Sequence, residues 1–133
     1  MDESRIALKN SRDIVIARVA GREMARQLGF GPADQTRLAT AISELARNVI
    51  QYVGEGVCLV ADESNEHRIS IKVVVEDHGP GISDIEKAME YGFSTGGGLG
   101  AGLPGAKRLV HEFDIESQPG HTRVTIAMSR ARV

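Results

Sequence analysis

Asp77-His78-Gly79-Pro80-Gly81 marks the place where this chain changes character, because an apolar run rich in β-branched residues ends there in a glycine turn. The run from Ile69 to Glu76 carries Ile69, Ile71, Val73, Val74 and Val75, a strand signal, and Gly79-Pro80-Gly81 cannot continue a strand. Asp77 therefore stands at a strand's mouth, where two readings are open. Its carboxylate can accept a hydrogen bond from an exocyclic amine such as that of adenine, with Gly79 and Gly81 lacking the Cβ atoms that would keep a flat ring off the backbone. Alternatively, it closes an Asx-type turn on its own downstream amides.

A second glycine-dense stretch, Gly96-Gly97-Gly98-Leu99-Gly100-Ala101-Gly102-Leu103, runs into Pro104, Ala106, Lys107, Leu109 and Val110. Pro104 stands where a first helical residue would be. A helix starting there leaves backbone amides unpaired and turns its positive dipole end toward the loop, an arrangement that suits phosphate. Glycines let the backbone wrap an anion through conformations that a Cβ forbids. A solvated linker is the alternative, but linkers usually carry Ser, Asn or Glu as well. The stretch is not a P-loop, since Ala106 follows Gly105 before Lys107, and no strand-like run leads into it as a dinucleotide fingerprint requires.

A third element starts at Gly29-Phe30-Gly31-Pro32 and continues as a long helical pattern, with Leu38, Ile42, Leu45, Val49 and Tyr52 at helical spacing. Glu44 and Asn48, four residues apart, share a face on the flank of that stripe. A carboxylate and an amide oxygen, with no basic residue between them on that face, suit an Mg²⁺ ion that keeps waters and bridges to phosphates. Asn48 is the better ligand because its oxygen binds without deprotonation, which leaves Glu44 to take a proton from an attacking hydroxyl or water. A solvated Glu with an Asn partner has the same spacing.

In this order, Glu44-Leu45-Ala46-Arg47-Asn48, Asp77-His78-Gly79-Pro80-Gly81 and Gly98-Leu99-Gly100-Ala101-Gly102-Leu103 resemble the motifs of the GHKL superfamily of ATP-binding proteins, which includes gyrase, Hsp90, histidine kinases and MutL. The stretches from Asp34 to Asn48 and from Gly98 to Leu109 are further similar to the serine/threonine switch kinases of bacterial stressosomes, with a likeness running from Ile6 to Met128. The resemblance implies a Bergerat-type fold and ATP- and Mg²⁺-dependent phosphorylation of Ser or Thr on STAS-domain proteins of the RsbS and RsbR kind. It implies a second role too, activation of a PP2C-type phosphatase like RsbU by the released kinase. Carried over residue by residue, it makes Asn48 the Mg²⁺ ligand, Glu44 the general base, Asp77 the adenine-reading carboxylate, and Gly79 and Gly81 the floor of the base pocket. Gly98, Gly100 and Gly102, with Leu103, become the phosphate-covering lid, preceded by Phe93 and Ser94. A threonine near the adenine is Thr122 or Thr125, because His121 splits the usual Gly-Thr pair. Arg47 is left for partner or phosphate contacts, or as a solvated helix charge. The alternatives are an anti-sigma factor kinase of the SpoIIAB or RsbW kind, or a binding module in which ATP only sets conformation.

The global numbers agree with one intracellular domain over residues 1–133. At 133 residues and 14.3 kDa the chain can bury a core, even with three Phe, two Tyr and no Trp. A net charge of −2 with no basic run argues against nucleic-acid binding. Cys58 is the only cysteine, inside Val57-Cys58-Leu59-Val60, and reads as a buried inert thiol. The charged start Met1-Asp2-Glu3-Ser4-Arg5 leads into no long apolar stretch, so neither a signal peptide nor a membrane span is expected, and the cytoplasm is the default. His67, His78, His111 and His121 show no metal-ligand spacing, so zinc is not indicated. His111 near a helix end suits a dipole interaction, and the phosphate acceptor is expected on another protein.

Along the chain the expected elements are a strand at Ile6 to Lys9 and a helix capped by Ser11 that runs to Leu28 with Ile14, Val15, Val19, Met24 and Leu28 inward. The Glu44 helix follows, then a hairpin of Val57 to Ala61 and Ile69 to Asp77, and a short helix from Ser83 through Ala88 and Met89. The lid and the Pro104 helix come next, then a hairpin of Phe113 to Ser117 and Thr122 to Met128 around Gln118-Pro119-Gly120. This is an α+β two-layer α/β sandwich, a mixed, mostly antiparallel sheet covered on one face by three helices. Its open face should be half polar, with Arg68, Ser70, Lys72 and Arg123 alternating with apolar residues.

Overall fold

Alternation of side chains builds the sheet. In the strand Arg68–Asp77, Ile69, Ile71, Val73 and Val75 are buried while Arg68 and Lys72 are exposed, so a period of two aims one set at the helices and the other at solvent. The computed structural model describes residues 3–82, 88–89 and 102–132. Among them are β1 (Glu3–Leu8), α1 (Ser11–Gln27), α2 (Pro32–Tyr52), β2 (Gly56–Asp62), β3 (Arg68–Asp77), α3 (Gly102–Leu109), β4 (Glu112–Gln118) and β5 (His121–Ala131).

The strands form one sheet in the order β1-β2-β3-β5-β4, and every pairing among the described residues is antiparallel. One face is dry: Leu8, Cys58, Val60, Ile71, Val73 and Ile126 are fully buried together with Leu38, Ala41, Ile42 and Leu45 of α2. The other face carries exposed Arg68, Lys72 and Arg123 and half-buried Ser70, as alternation requires. The result is the two-layer α+β sandwich. The expected short helix at Ser83 lies outside the described residues except for Ala88 and Met89.

The structure corrects the account of α1 in two respects. Asn10, not Ser11, is the N-cap: it has extended backbone, its side chain accepts from the Arg12 amide at 3.0 Å, and Asp13 returns a carboxylate oxygen to the Asn10 amide at 3.2 Å. The inward stripe is Ala17, Gly21, Met24 and Ala25, whereas Val15 and Val19 are 45% and 56% exposed. The cause is close packing of two helices. A Cβ on Gly21 would lie 2.1 Å from Ile42 Cδ1, so the small residues of α1, rather than its β-branched ones, take the contact with α2.

Helix α2 keeps Leu38, Ile42, Leu45 and Val49 inward as the spacing requires, with Pro32 in its first turn. Tyr52, expected on the same stripe, is exposed, because Val53 takes the inward place against the loop at Gly79. Helix α3 begins at Gly102, two residues before Pro104, and its residues from Gly102 to Ala106 are buried.

Candidate functional site

The buried face of the sheet changes from apolar to polar at one end. Register places Asp77 of β3 opposite Thr122 of β5, and Thr122 opposite Ser117 of β4, so three polar side chains stand in a row across three strands. Asp77 and Thr122 are each only 7% exposed. The row is internally bonded: Ser117 Oγ lies 2.6 Å from Thr122 Oγ1, and the Ile82 amide donates to Ser117 Oγ at 2.8 Å. Thr125 belongs to the other face of β5, beside Lys72 and Glu112, so it is Thr122 and not Thr125 that the fold brings to Asp77.

The turn reading of Asp77 is met at one of its oxygens. Gly79 N–H donates to Asp77 Oδ1 at 2.9 Å, which closes the Asx turn. The second oxygen takes no hydrogen bond from the described residues, so the turn holds the carboxylate still and leaves one oxygen for an outside donor. The two glycines of the motif answer to the protein's own packing. A Cβ on Gly79 would lie 2.7 Å from Val53 Cγ2, and one on Gly81, at φ +86°, would lie 2.5 Å from the Gln118 carbonyl oxygen. Gly56, which the sequence reading passed over, lets the last turns of α2 approach, since its Cβ would meet Val49 Cγ1 at 2.7 Å and Asp77 Cβ at 3.4 Å.

Helix α2 also carries the second half of the site. Glu44 is 5% exposed; its Oε2 receives Arg47 Nη1 at 2.9 Å and its Oε1 receives the Gly102 amide at 3.3 Å. This overturns the expectation that no basic residue stands between Glu44 and Asn48 on that face, and gives Arg47, whose side chain is 41% exposed, a partner on its own helix. At i,i+3 the guanidinium reaches back over one turn, and the carboxylate also sits against the first amide of α3, where the helix dipole favours negative charge. Asn48 is half-buried, and its carboxamide makes no hydrogen bond with the described residues, so its oxygen is open to a cation. No group of three His, Cys, Asp or Glu that could hold a metal exists among the described residues. One amide oxygen near a carboxylate fits a hard cation that completes its shell with water and phosphate.

Gly98 and Gly100, with Phe93 and Ser94, lie outside the described residues. Gly102 lies inside them with φ +67°, and Leu103 packs in the core. On the outer face, His121 Nε2 bonds the Glu76 carboxylate, and its ring lies 5.4 Å from that of His78. His111 Nδ1 accepts the Ser129 amide at 2.9 Å, so the imidazole ties the chain after α3 to β5. Cys58 is sealed in the core, and burial pushes its thiol up to about 12, which makes it inert as a nucleophile. Ser117 is a site residue that sequence reasoning missed. Its signal was the alternation Phe113, Ile115, Ser117, which sets a hydroxyl at the next inward-facing position.

Residues 33–132 match the family described as "Histidine kinase-, DNA gyrase B-, and HSP90-like ATPase". The chain is 51% identical to the serine/threonine-protein kinase RsbT of Bacillus subtilis over 119 residues, which is 90% of each protein. It is 30% identical to an anti-sigma F factor of Caldanaerobacter subterraneus over 85% of this chain and 82% of that one. Among solved structures, the RsbU and RsbW domains of a Mycobacterium tuberculosis protein superpose with a TM-score of 0.68 at 22% identity over 98% of this chain, which spans 33% of that structure. The catalytic domain of the histidine kinase ThkA superposes with a TM-score of 0.51 at 20% identity, covering 96% of this chain and 97% of that one. Among the described residues no helix is long and apolar enough to cross a membrane.

Proposed function

We propose that this chain, which belongs to the histidine kinase-, DNA gyrase B- and HSP90-like ATPase family and is a protein kinase within it, transfers phosphate from ATP to serine or threonine of STAS-domain regulators in a bacterial partner switch. The observation that carries this reading is the polar row Asp77-Thr122-Ser117, with Asp77 and Thr122 buried, at the end of an apolar sheet face beside the last turns of α2. In this reading Asp77 accepts the adenine amine through its free oxygen, and Gly79 and Gly81 form the floor under the base. Asn48 holds Mg²⁺, whose bound charge would offset that building up on the transferring phosphate. Gly98, Gly100 and Gly102 cover the phosphates, and the loop excludes water so that transfer to a protein hydroxyl outruns hydrolysis.

Glu44 takes the proton from the incoming hydroxyl. Of its bonds to described residues, the Gly102 amide at 3.3 Å is longer than the Arg47 bond at 2.9 Å. Arg47, on the other oxygen, keeps the carboxylate oriented. The released kinase also engages a PP2C-type phosphatase of the RsbU kind. A second reading, capture of a sigma factor, draws support from the 30% identity to an anti-sigma F factor. Both are tested by incubating the chain with labelled ATP and magnesium, together with a STAS-domain protein or a sigma factor. Label on a serine or threonine of the STAS protein is the expected result; sigma capture without label would replace it with the second reading.

A further inference from the structure

Thr122 is the cross-strand neighbour of Asp77, at a spacing where side chains of paired strands touch, and its hydroxyl proton has two possible directions. It can point at Ser117 or into the space beside Asp77. Ser117 decides between them. Its Oγ already accepts the Ile82 amide at 2.8 Å, and Thr122 Oγ1, at 2.6 Å, is the one acceptor it meets among the described residues. If Thr122 were the donor, the proton of half-buried Ser117 would have no acceptor among the described residues, and Thr122 would present lone pairs beside a carboxylate. With Ser117 as donor, the proton without an acceptor among the described residues is that of Thr122, which then points beside Asp77, where the nucleotide reading supplies a ring nitrogen. The sequence of bonds then runs from Ile82 N–H to Ser117 Oγ, from Ser117 O–H to Thr122 Oγ1, and from Thr122 O–H toward the ligand.

We infer that Ser117 is a positioning residue that sets the direction of the Thr122 hydroxyl, and through it the preference of the site for adenine. The inference rests on the nucleotide reading above. A carboxylate acceptor beside a hydroxyl donor matches an amine beside an unprotonated ring nitrogen, the pattern of adenine. Hypoxanthine reverses that pattern, with a carbonyl oxygen beside a ring N–H. Asp77 rejects the carbonyl in any case. The Thr122 hydroxyl rejects the ring N–H only while Ser117 keeps it turned outward as a donor; without Ser117 it can rotate and accept.

Calorimetry with magnesium, using ADP and inosine diphosphate as the two probes, tests this. The wild-type chain is expected to prefer ADP, Ser117→Ala to lower the ADP-to-inosine-diphosphate preference about tenfold, the scale of one neutral hydrogen bond, and Ser117→Thr to restore it. A residue that merely braces the Ile82 loop would weaken both nucleotides by the same factor, and an unchanged ratio in Ser117→Ala would overturn the inference. Thr122→Val should lower the ratio similarly, and adding Ser117→Ala to it should lower the ratio no further; an additional drop counts against the relay. If Ser117→Ala does not fold, Ser117→Cys keeps nearly the same volume with a poor donor, and the ratio must fall there too. Absence of binding by the wild-type chain to either probe would instead sink the nucleotide reading, an outcome distinct from an unchanged ratio.

Discussion

The middle and the end of the sheet's inner face are similarly dry and chemically opposite. In the middle, Ile71, Val73 and Ile126 are 0% exposed and Met128 1%; at the end, Asp77 and Thr122 are 7% exposed and carry polar groups. Burial of each large apolar side chain in the middle stabilises the fold by about 1.5–3 kcal/mol. The end gains no such term, since a buried hydroxyl or carboxylate only recovers through hydrogen bonds what desolvation costs it. Its internal bonds, Gly79 to Asp77 and Ser117 to Thr122, keep the row tolerable without using all of its capacity. The middle contributes stability, and the end keeps hydrogen-bonding capacity that the described residues leave unused.

The sharpest way to break this contrast is to change the polar site without touching the core. Asn48→Ala and Asp77→Asn are each expected to lower phosphate transfer at least about a thousandfold, while the free energy of unfolding in urea stays within about 1 kcal/mol of wild type. Transfer that survives either change in the purified protein would remove the functional half of the comparison. The converse experiment is Ile126→Ala, which should cost about 3 kcal/mol in urea unfolding and leave the nucleotide affinity of the folded protein nearly unchanged.

Gly81→Ala sits between these two, since the residue belongs to the polar motif but its constraint is steric. With φ at +86° and the Gln118 oxygen 2.5 Å from the new Cβ, it should cost about 2 kcal/mol in the same unfolding measurement and also weaken nucleotide binding as the loop shifts. A stability equal to wild type would show that the loop is less constrained than the core. The effect that is smallest near neutral pH, where it vanishes, is a pH slope from the core. Cys58 is raised from 9.0 to about 12 by burial, so the unfolded chain loses its thiol proton before the folded one does. Stability is fully present below pH 9 and falls by about 1.4 kcal/mol per pH unit from there toward 12. Comparing wild type with Cys58→Ala isolates that slope, and identical slopes would mean that the thiol is not sealed in.

How much of this was legible depended on whether a feature is local. The strands were readable because alternation in Ile69 to Val75 is a property of neighbouring residues, and so was the inward stripe Leu38-Ile42-Leu45-Val49 of α2. The spacing of Glu44 and Asn48 and the Asp77-Gly79-Gly81 motif could be found for the same reason. The inner stripe of α1 was not legible, since Val15 and Val19 are more apolar than Ala17 and Gly21, yet contact with Ile42 selects for smallness. The contact of Glu44 with the Gly102 amide was hidden for a similar reason, since the two residues lie 58 positions apart.

The sequence by itself determined the order of elements, the sandwich with its half-polar open face, and the residue types able to meet a base, a cation and phosphate, because periodicity and turn chemistry act over a few residues. Only the tertiary structure decided that Thr122 rather than Thr125 joins Asp77, that Ser117 stands behind it, and that Gly81 is required by the Gln118 turn. Register and close approach between strands and helices distant in sequence set those choices, and no local pattern encodes a distance across a sheet.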